Sequence, residues 1–252
     1  MLRNRVLAYD PRTIARDVAG VIESVFPQLV PGVVLHFNRT HSYSTKNCKP
    51  VPSELIAQTS LQLAMLFELG IAVGESLLVG EPNVDWDKCL LKASGRQRRY
   101  YDAEVPDHLE SVDKEIASLV GNNLFAMLSA ISVAEGSTIT VQPRIAGYRW
   151  IASGAGDFAT SESIIEVKCS SKRFSTADYR QILIYWLLAY IESLEKDLSY
   201  WTTGILLNPR LNFSVKLNFS EFIPLVALGK SSIEIVESFG AIFQDWTQGN
   251  AP

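Results

Sequence analysis

The chain has 252 residues, of which 47% are hydrophobic and 20% are charged, and its formal net charge is −4. This is the composition of an ordinary soluble globular protein, so it excludes a disordered chain and a fibre. The acidic net charge argues against unspecific affinity for nucleic acid over the whole surface, so any such contact must come from local basic patches.

Cysteine content and the N-terminus indicate a cytoplasmic protein. Cys48, Cys89 and Cys169 are too few and too scattered for a disulfide framework, and they show no zinc-ligand spacing. The first residues lead into no long apolar segment, as a signal peptide would. Since the most apolar run, Ile182 to Ile191, is too short to cross a bilayer, we expect no membrane association.

The first part of the chain is predicted to be mainly helical. Apolar periodicity predicts amphipathic helices over residues 11 to 26 and 53 to 69. Residues 33 to 37 are typical of a short strand, followed by a polar loop, and the charged residues 81 to 106 predict a connection. We therefore predict an N-terminal helical accessory region, residues 1–106, before a second region, residues 107–252.

The second region alternates between the helical period of about 3.6 residues and the strand period of two residues. The pattern predicts a helix at about 107 to 134, strands at 138 to 151, up to 157 and at 163 to 169, a helix at 175 to 196, strands at 202 to 208 and 213 to 219, and a helix at 231 to 246. This order, α-β-β-β-α-β with an added strand and helix, predicts an α/β fold with a mixed sheet and helices on both faces.

The predicted strand at 163 to 169 has one charged face. Its two-residue period places Glu166 and Lys168 on that face. The opposite face carries Ile165, Val167 and Cys169. Charges on a core strand are costly unless they are paired or bind a metal, so the pair Glu166 and Lys168 needs an explanation.

Three further polar residues are expected near this charged face. The small polar residues 159 to 163 are typical of a hairpin turn, which brings Asp157 towards Glu166. Residues 175 to 178 have the pattern of a capping box that begins a helix. On this helix, Gln181 and Tyr185 are one turn apart and share a face.

The order Gly156-Asp157, then Glu166-Val167-Lys168, then Gln181-x-x-x-Tyr185 resembles the motifs of the PD-(D/E)XK nuclease superfamily, in particular its RecB-like branch. Asp-x(8)-Glu-x-Lys alone arises often by chance, and the Gln-x-x-x-Tyr motif makes the resemblance more specific. It covers roughly residues 107 to 245. It implies a restriction-endonuclease-like core and a nuclease that depends on Mg²⁺, for which Mn²⁺ can substitute.

Phosphodiester cleavage needs an activated water and positive charge on the transition state, and a divalent ion held by carboxylates supplies both. We therefore expect Asp157 and Glu166 as metal ligands, and the resemblance implies that the carbonyl of Val167 completes the set. Lys168 is expected to orient or activate the water and to stabilise the transition state. The alternative is a surface hairpin with a solvent-bridging ion pair between Glu166 and Lys168.

The resemblance implies roles for the helix residues as well. Gln181 would contact the active-site water or the lysine, and Tyr185 would support the DNA strand. Taken alone, the two residues also fit a solvated glutamine and a core tyrosine. The family places an acidic residue or a histidine on the preceding helix, and we predict Glu115 for this position because it adjoins an apolar run. The alternatives are Glu110, Asp113 and His108.

Two basic patches are candidates for nucleic-acid binding. Lys172 and Arg173 follow the Glu-x-Lys strand directly, so a backbone phosphate is their expected partner. Arg96, Arg98 and Arg99 lie beside two tyrosines that could stack on unpaired bases. A solvated turn explains this second patch equally well.

The expected function is a metal-dependent deoxyribonuclease in a defence, restriction or repair system, such as an endonuclease of antiviral defence. The alternative is a catalytically weak subunit with a nuclease fold that binds nucleic acid or a helicase partner. Retention of Asp157, Glu166, Lys168 and Gln181 together favours the enzyme, since a decayed site is expected to lose one of them. The sequence does not distinguish DNA from RNA as the substrate, single from double strands, or cleavage at the ends from internal cleavage.

Overall fold

The computed structural model describes residues 9–18, 20–81, 83–97 and 106–249. The helices in these ranges are α1 (Pro11–Arg16), α2 (Val21–Val25), α3 (Pro31–Thr40), α4 (Ser53–Ile56), α5 (Leu63–Leu78), α6 (Trp86–Gln97), α7 (Ser111–Glu135), α8 (Thr176–Lys196), α9 (Phe219–Val226) and α10 (Ser232–Gly249). The strands are β1 (Ser42–Tyr43), β2 (Thr140–Val141), β3 (Arg144–Ile145), β4 (Gly154–Ala155), β5 (Phe158–Ala159), β6 (Ser163–Val167), β7 (Thr203–Asn208) and β8 (Phe213–Asn218).

A six-stranded sheet in the order β1-β8-β7-β6-β5-β2 forms the centre of the protein, and β3 pairs with β4 in a separate small sheet. In the large sheet, β6 and β7 are parallel and the other neighbours are antiparallel. The predicted mixed sheet in an α/β fold is therefore confirmed.

The two long helices cover opposite faces of this sheet. On one face, α7 contributes Leu124 and Leu128 to a cluster that contains Ile165 of β6. On the other face, α8 packs with Ile164 of β6 and Leu206 of β7. Consecutive residues of β6 thus enter different clusters, as expected for a strand buried on both sides.

Close contact between α5 and α7 fixes the position of α5. A Cβ atom on Gly70 of α5 would lie 2.6 Å from Val120 Cγ1, and one on Gly121 of α7 would lie 2.6 Å from Val73 Cγ1. Only glycine allows this approach of the two backbones. Because α5 packs on α7, the acidic side chains of α5 are held at a defined place beside the sheet.

Helix α7 is long and apolar enough to cross a membrane by length and composition, with a mean hydropathy of 1.6 over 18 residues. Half of that stretch is buried inside the protein, against α5 and the sheet. A core helix of a soluble protein has the same properties, so this feature is weak evidence for a membrane span.

The structure confirms α7, α8, β6, β7, β8 and α10 close to their predicted positions. The strand prediction for residues 33 to 37 is wrong, because they lie in α3, where Pro31 takes the first helical position. Residues predicted only as a connection contain α6, and α9 follows β8 without having been predicted. The predicted strand 138 to 151 is divided into β2 and β3 around Pro143.

Contacts cross the predicted division at residue 106. Strand β1 pairs with β8, and α1 and α3 share one hydrophobic cluster with α8. The backbone N–H of Tyr9 donates to the carbonyl of Trp150 at 3.1 Å. The division into two regions stays a prediction, but the first helices pack directly on the elements that carry the sequence motifs.

Candidate active site

Asp157 lies directly before β5 and is tied to β6. Phe158 pairs with Ile165, so the same antiparallel register continued by one residue places Asp157 opposite Glu166. Asp157 Oδ2 accepts a hydrogen bond of 2.9 Å from the backbone N–H of Val167. The hairpin therefore brings Asp157 to β6, as its turn residues predicted.

Glu166, Lys168 and Gln181 form a closed triangle of hydrogen bonds between β6 and α8. Lys168 Nζ donates to Glu166 Oε1 at 2.6 Å and to Gln181 Oε1 at 3.0 Å. Gln181 Nε2 donates to Glu166 Oε1 at 2.7 Å. Glu166 and Gln181 are buried, so the ion pair does not bridge solvent on a surface hairpin, and that alternative is wrong.

The surroundings of Glu166 disfavour the charged form of its carboxyl group. Burial, and next the negative charge of Asp157, raise its pKa to about 7, against the opposing charges of Lys168 and Arg12. Its Oε2 atom is buried and has no hydrogen-bond partner in the described part of the chain. A buried acceptor without a partner is rare and costly, so this atom marks a place for a further cation or donor.

Tyr185 connects this triangle to Arg12. Its hydroxyl oxygen accepts hydrogen bonds from Gln181 Nε2 at 2.8 Å and from Arg12 Nε at 2.9 Å. Tyr185 is 1% exposed, and this burial raises the pKa of its hydroxyl. Any support that Tyr185 gives to a DNA strand therefore passes through the side chains that its hydroxyl binds.

Arg12 closes the cluster on the side of Asp157. Its Nη2 donates to Asp157 Oδ1 at 2.9 Å and to the carbonyl of Ala155 at 3.3 Å. Burial alone would lower the pKa of Arg12, but Asp157 and Glu166 outweigh it and raise the pKa. Arg12 is held there because Pro11 begins α1 and the Asp10 side chain caps it by accepting from the Arg12 N–H at 2.8 Å.

A third carboxylate, Glu68 of α5, lies within electrostatic range of Asp157. Burial, and to a lesser degree the charge of Asp157, raise the pKa of Glu68, whereas Arg96 lowers it. Arg96 Nη1 lies 3.5 Å from Glu68 Oε2, and its Nη2 lies 2.5 Å from Glu75 Oε1. Helices α5 and α6 thus bring further acidic groups and their counter-charges beside the sheet.

The structure does not bring the predicted Glu115 into this cluster. Glu115 is exposed on α7 and makes no hydrogen bond or ion pair within the described ranges. Asp113 is buried and accepts from Thr59, and it also caps α7. His108 and Glu110 are exposed and contact each other. Glu68, on a helix before the hairpin, interacts electrostatically with Asp157.

The predicted basic patches differ in their surroundings. Lys172 and Arg173 are exposed in the loop between β6 and α8, and Asn208 holds this loop by donating to the carbonyl of Ser170 at 2.9 Å. Arg96 is 19% exposed and engaged with two carboxylates, so a phosphate would have to compete with them. Arg98 and Arg99 lie outside the described residues.

The donors present suit a hard divalent ion. Within the described ranges, no three His, Cys, Asp or Glu side chains are grouped closely enough to hold a metal. Mg²⁺ needs only one or two carboxylates, because water and substrate phosphate complete its shell. Asp157 and Glu166 meet this requirement, and Glu166 Oε2 has no hydrogen-bond partner in the part of the chain that the structure describes.

Comparisons with known proteins add no relative. No family model, no curated protein and no solved structure matches this chain.

Two residues of the cluster's surroundings were missed by reasoning from sequence. Arg12 belongs to a segment that shows no motif, and its contact with Asp157 spans 145 positions. Glu68 lies in a predicted amphipathic helix, where an acidic residue is ordinary. The apolar character of α5 is the available signal, because an acidic residue in a buried helix needs a positively charged partner. Glu75 of α5 is buried in this way and pairs with Arg96 and Lys92.

Proposed function

We propose that this protein is a Mg²⁺-dependent nuclease that hydrolyses phosphodiester bonds of DNA, with Mn²⁺ as a substitute ion. The observation that carries the proposal is the environment of Glu166. One of its carboxylate oxygens binds Lys168 and Gln181, and the other is buried beside the charge of Asp157 and has no hydrogen-bond partner among the described residues. Glu166 is buried and Asp157 beside it is half-buried, so their two negative charges need cations as partners. Lys168 and Arg12 each pair with one carboxylate oxygen, and a metal ion would bind the remaining oxygen of Glu166.

The arrangement of the strands supports the resemblance to the PD-(D/E)XK superfamily. Strands β2, β5 and β6 are consecutive antiparallel neighbours, α8 follows them, and β7 then pairs with β6 in parallel. With α7 in front, this order fits the α-β-β-β-α-β core that the resemblance implies. We propose this topology for the protein.

Asp157 and Glu166 would hold the metal ion, and the Val167 carbonyl is a further proposed ligand. A divalent ion bound there would polarise a phosphoryl oxygen and neutralise developing charge. Lys168 Nζ has three hydrogens, of which two bind Glu166 and Gln181. The third can hold a water or a phosphate oxygen in place, while Gln181 keeps the lysine beside Glu166.

A second function is favoured by one contact. Arg12 already provides a positive charge to Asp157, which weakens the need for a metal at this carboxylate. A nuclease-fold subunit that binds nucleic acid or a helicase partner and cleaves little is therefore the alternative. A role in a defence, restriction or repair system is proposed for either function.

The test is a cleavage assay with linear duplex, circular duplex and single-stranded DNA and with single-stranded RNA, in Mg²⁺, in Mn²⁺ and in excess chelator. We expect cleavage only with metal, and none by the variant Glu166→Gln. Glu162→Gln is the matched control, because Glu162 is exposed in the turn of the same hairpin. Cleavage that persists in chelator, or in Glu166→Gln, would exclude the proposed function.

A further inference from the structure

Arg12 has unused hydrogen-bonding capacity beside the proposed metal ligand. A guanidinium group carries five N–H donors. Three of them are used, by the Tyr185 hydroxyl, Asp157 Oδ1 and the Ala155 carbonyl. Both hydrogens of Nη1 have no partner within the described residues, and the side chain is 40% exposed. The three bound donors fix the orientation of the group, and the remaining two are available to a ligand.

The contacts of Arg12 differ from the ion pair that Arg16 makes on the same helix. Arg16 makes an exposed ion pair of 3.2 Å with Asp178, which is the common kind of surface pair that contributes little to stability. Arg12, in contrast, enters a buried polar cluster through the hydroxyl of Tyr185. The two hydrogens left on Nη1 can each donate a charge-assisted hydrogen bond to a phosphate oxygen.

We propose that Arg12 binds a phosphate group of the nucleic-acid strand through Nη1, and that Asp157, Ala155 and Tyr185 orient it for this contact. The inference deepens the proposed function and rests on it for the identity of the ligand. It assigns a substrate-binding role to a helix of the N-terminal segment. It also gives Tyr185 a positioning role, because the buried hydroxyl acts on the strand through Arg12.

The experiment compares the wild type with Arg12→Gln, Arg12→Lys and the control Arg16→Gln. Binding of a fluorescent DNA oligonucleotide is measured in excess chelator, where no cleavage is expected. Mn²⁺ affinity without DNA is measured by calorimetry, and single-turnover cleavage is measured with Mg²⁺. Thermal unfolding checks that each variant is folded. If Arg12→Gln does not fold, the comparison is made with Arg12→Lys, because lysine keeps the charge and lacks the planar group.

We expect Arg12→Gln to weaken DNA binding by about tenfold, the effect of losing a hydrogen bond to a charged group. Arg12→Lys should lie between this variant and the wild type, and Arg16→Gln should match the wild type. Mn²⁺ should bind to Arg12→Gln at least as tightly as to the wild type, because a positive charge beside Asp157 is removed. A residue that only held Asp157 in place would instead lower the Mn²⁺ affinity.

The remaining outcomes separate this inference from the proposed function. If Arg12→Gln binds DNA like the wild type, the inference is wrong, and faster cleavage by that variant would identify Arg12 as a block of the site. If the wild type binds no DNA, the inference is equally wrong. If binding depends on Arg12 but no nucleic acid is cleaved, the proposed nuclease function fails and the phosphate contact stands.

Discussion

Gln181 Nε2 donates a hydrogen bond of 2.7 Å to Glu166 Oε1 across the boundary between α8 and β6. Both side chains are buried, so the contact exists in the interior of the protein and not at a hydrated surface. It joins two sequence motifs, Glu-x-Lys on a strand and Gln-x-x-x-Tyr on a helix. The joined motifs lead to the following predictions for the site.

Removing either carboxylate should abolish metal binding and cleavage. Asp157→Asn and Glu166→Gln each remove a negative charge that the proposed metal needs, while keeping the volume of the side chain. Calorimetric titration with Mn²⁺ should detect no binding, and DNA cleavage should disappear, whereas Glu162→Gln behaves like the wild type. Undiminished Mn²⁺ binding by both variants would place the metal elsewhere.

Lys168→Met should slow the chemical step by about 10²-fold, which is the scale for losing a group that transfers a proton or stabilises charge. DNA binding should change little, because Lys168 contacts Glu166 and Gln181 and is only 19% exposed. Single-turnover kinetics and DNA titration separate the two effects. The matched control is Lys196→Met, at the opposite end of α8. Equal losses of binding and cleavage would make Lys168 a phosphate anchor.

Exposed basic residues beside the site should contribute to DNA binding through release of counterions. Lys172→Glu and Arg173→Glu should each weaken binding, and the slope of log K against log salt should fall by about 0.7 to 0.9 for each phosphate that the variant no longer neutralises. Titrations at several salt concentrations measure this slope, with Lys196→Glu as the control. Slopes identical to that of the wild type would show that this loop does not touch the phosphates.

Arg96 should contribute to the stability of the fold through its ion pair with Glu75. Arg96→Ala removes a partner of the buried Glu75 and should lower the free energy of unfolding by about 2 kcal/mol, the scale for leaving a buried polar group less well paired. Lys88→Ala, which loses an exposed pair with Glu81, should change it by less than about 1 kcal/mol. Denaturant titration tests both, and similar small values would show that the Glu75 pair is unimportant.

DNA binding by the same patch is tested with Arg98→Ala and Arg99→Ala, which leave the ion pairs of Arg96 intact. We expect the double variant to bind DNA more weakly than the wild type and with a flatter salt dependence. If it binds like the wild type at every salt concentration, the patch is not a nucleic-acid contact.

Stability without metal should depend on pH through Glu166. Because its pKa in the fold lies near 7, above the ordinary value of 4.5, the folded protein binds this proton more tightly than the unfolded chain. The stabilisation is full below pH 4.5 and is lost as the pH rises to about 7. In chelator, the wild type should therefore lose stability relative to Glu166→Gln between about pH 4.5 and pH 7. A pH-independent difference between the two proteins would contradict this assignment.

The sequence determined much of the candidate site because the relevant signals are local. Alternation along β6 predicts one charged and one apolar face, and the structure places Glu166 and Lys168 against α8 while Ile165 and Val167 face α7. The capping box at Ser175 predicts the start of α8, and Asp178 Oδ2 accepts from both the N–H and the hydroxyl of Ser175. Such periods and caps involve neighbours a few positions apart.

Only the tertiary structure decided what surrounds that core. Residues 33 to 37 have strand propensity, but they lie in α3, because packing against α8 outweighs a preference of at most about 1 kcal/mol. Arg12 meets Asp157 across 145 positions, and Glu68 comes close to Asp157 because glycines let α5 and α7 approach. These contacts depend on how separate elements pack, which no local pattern in the chain encodes.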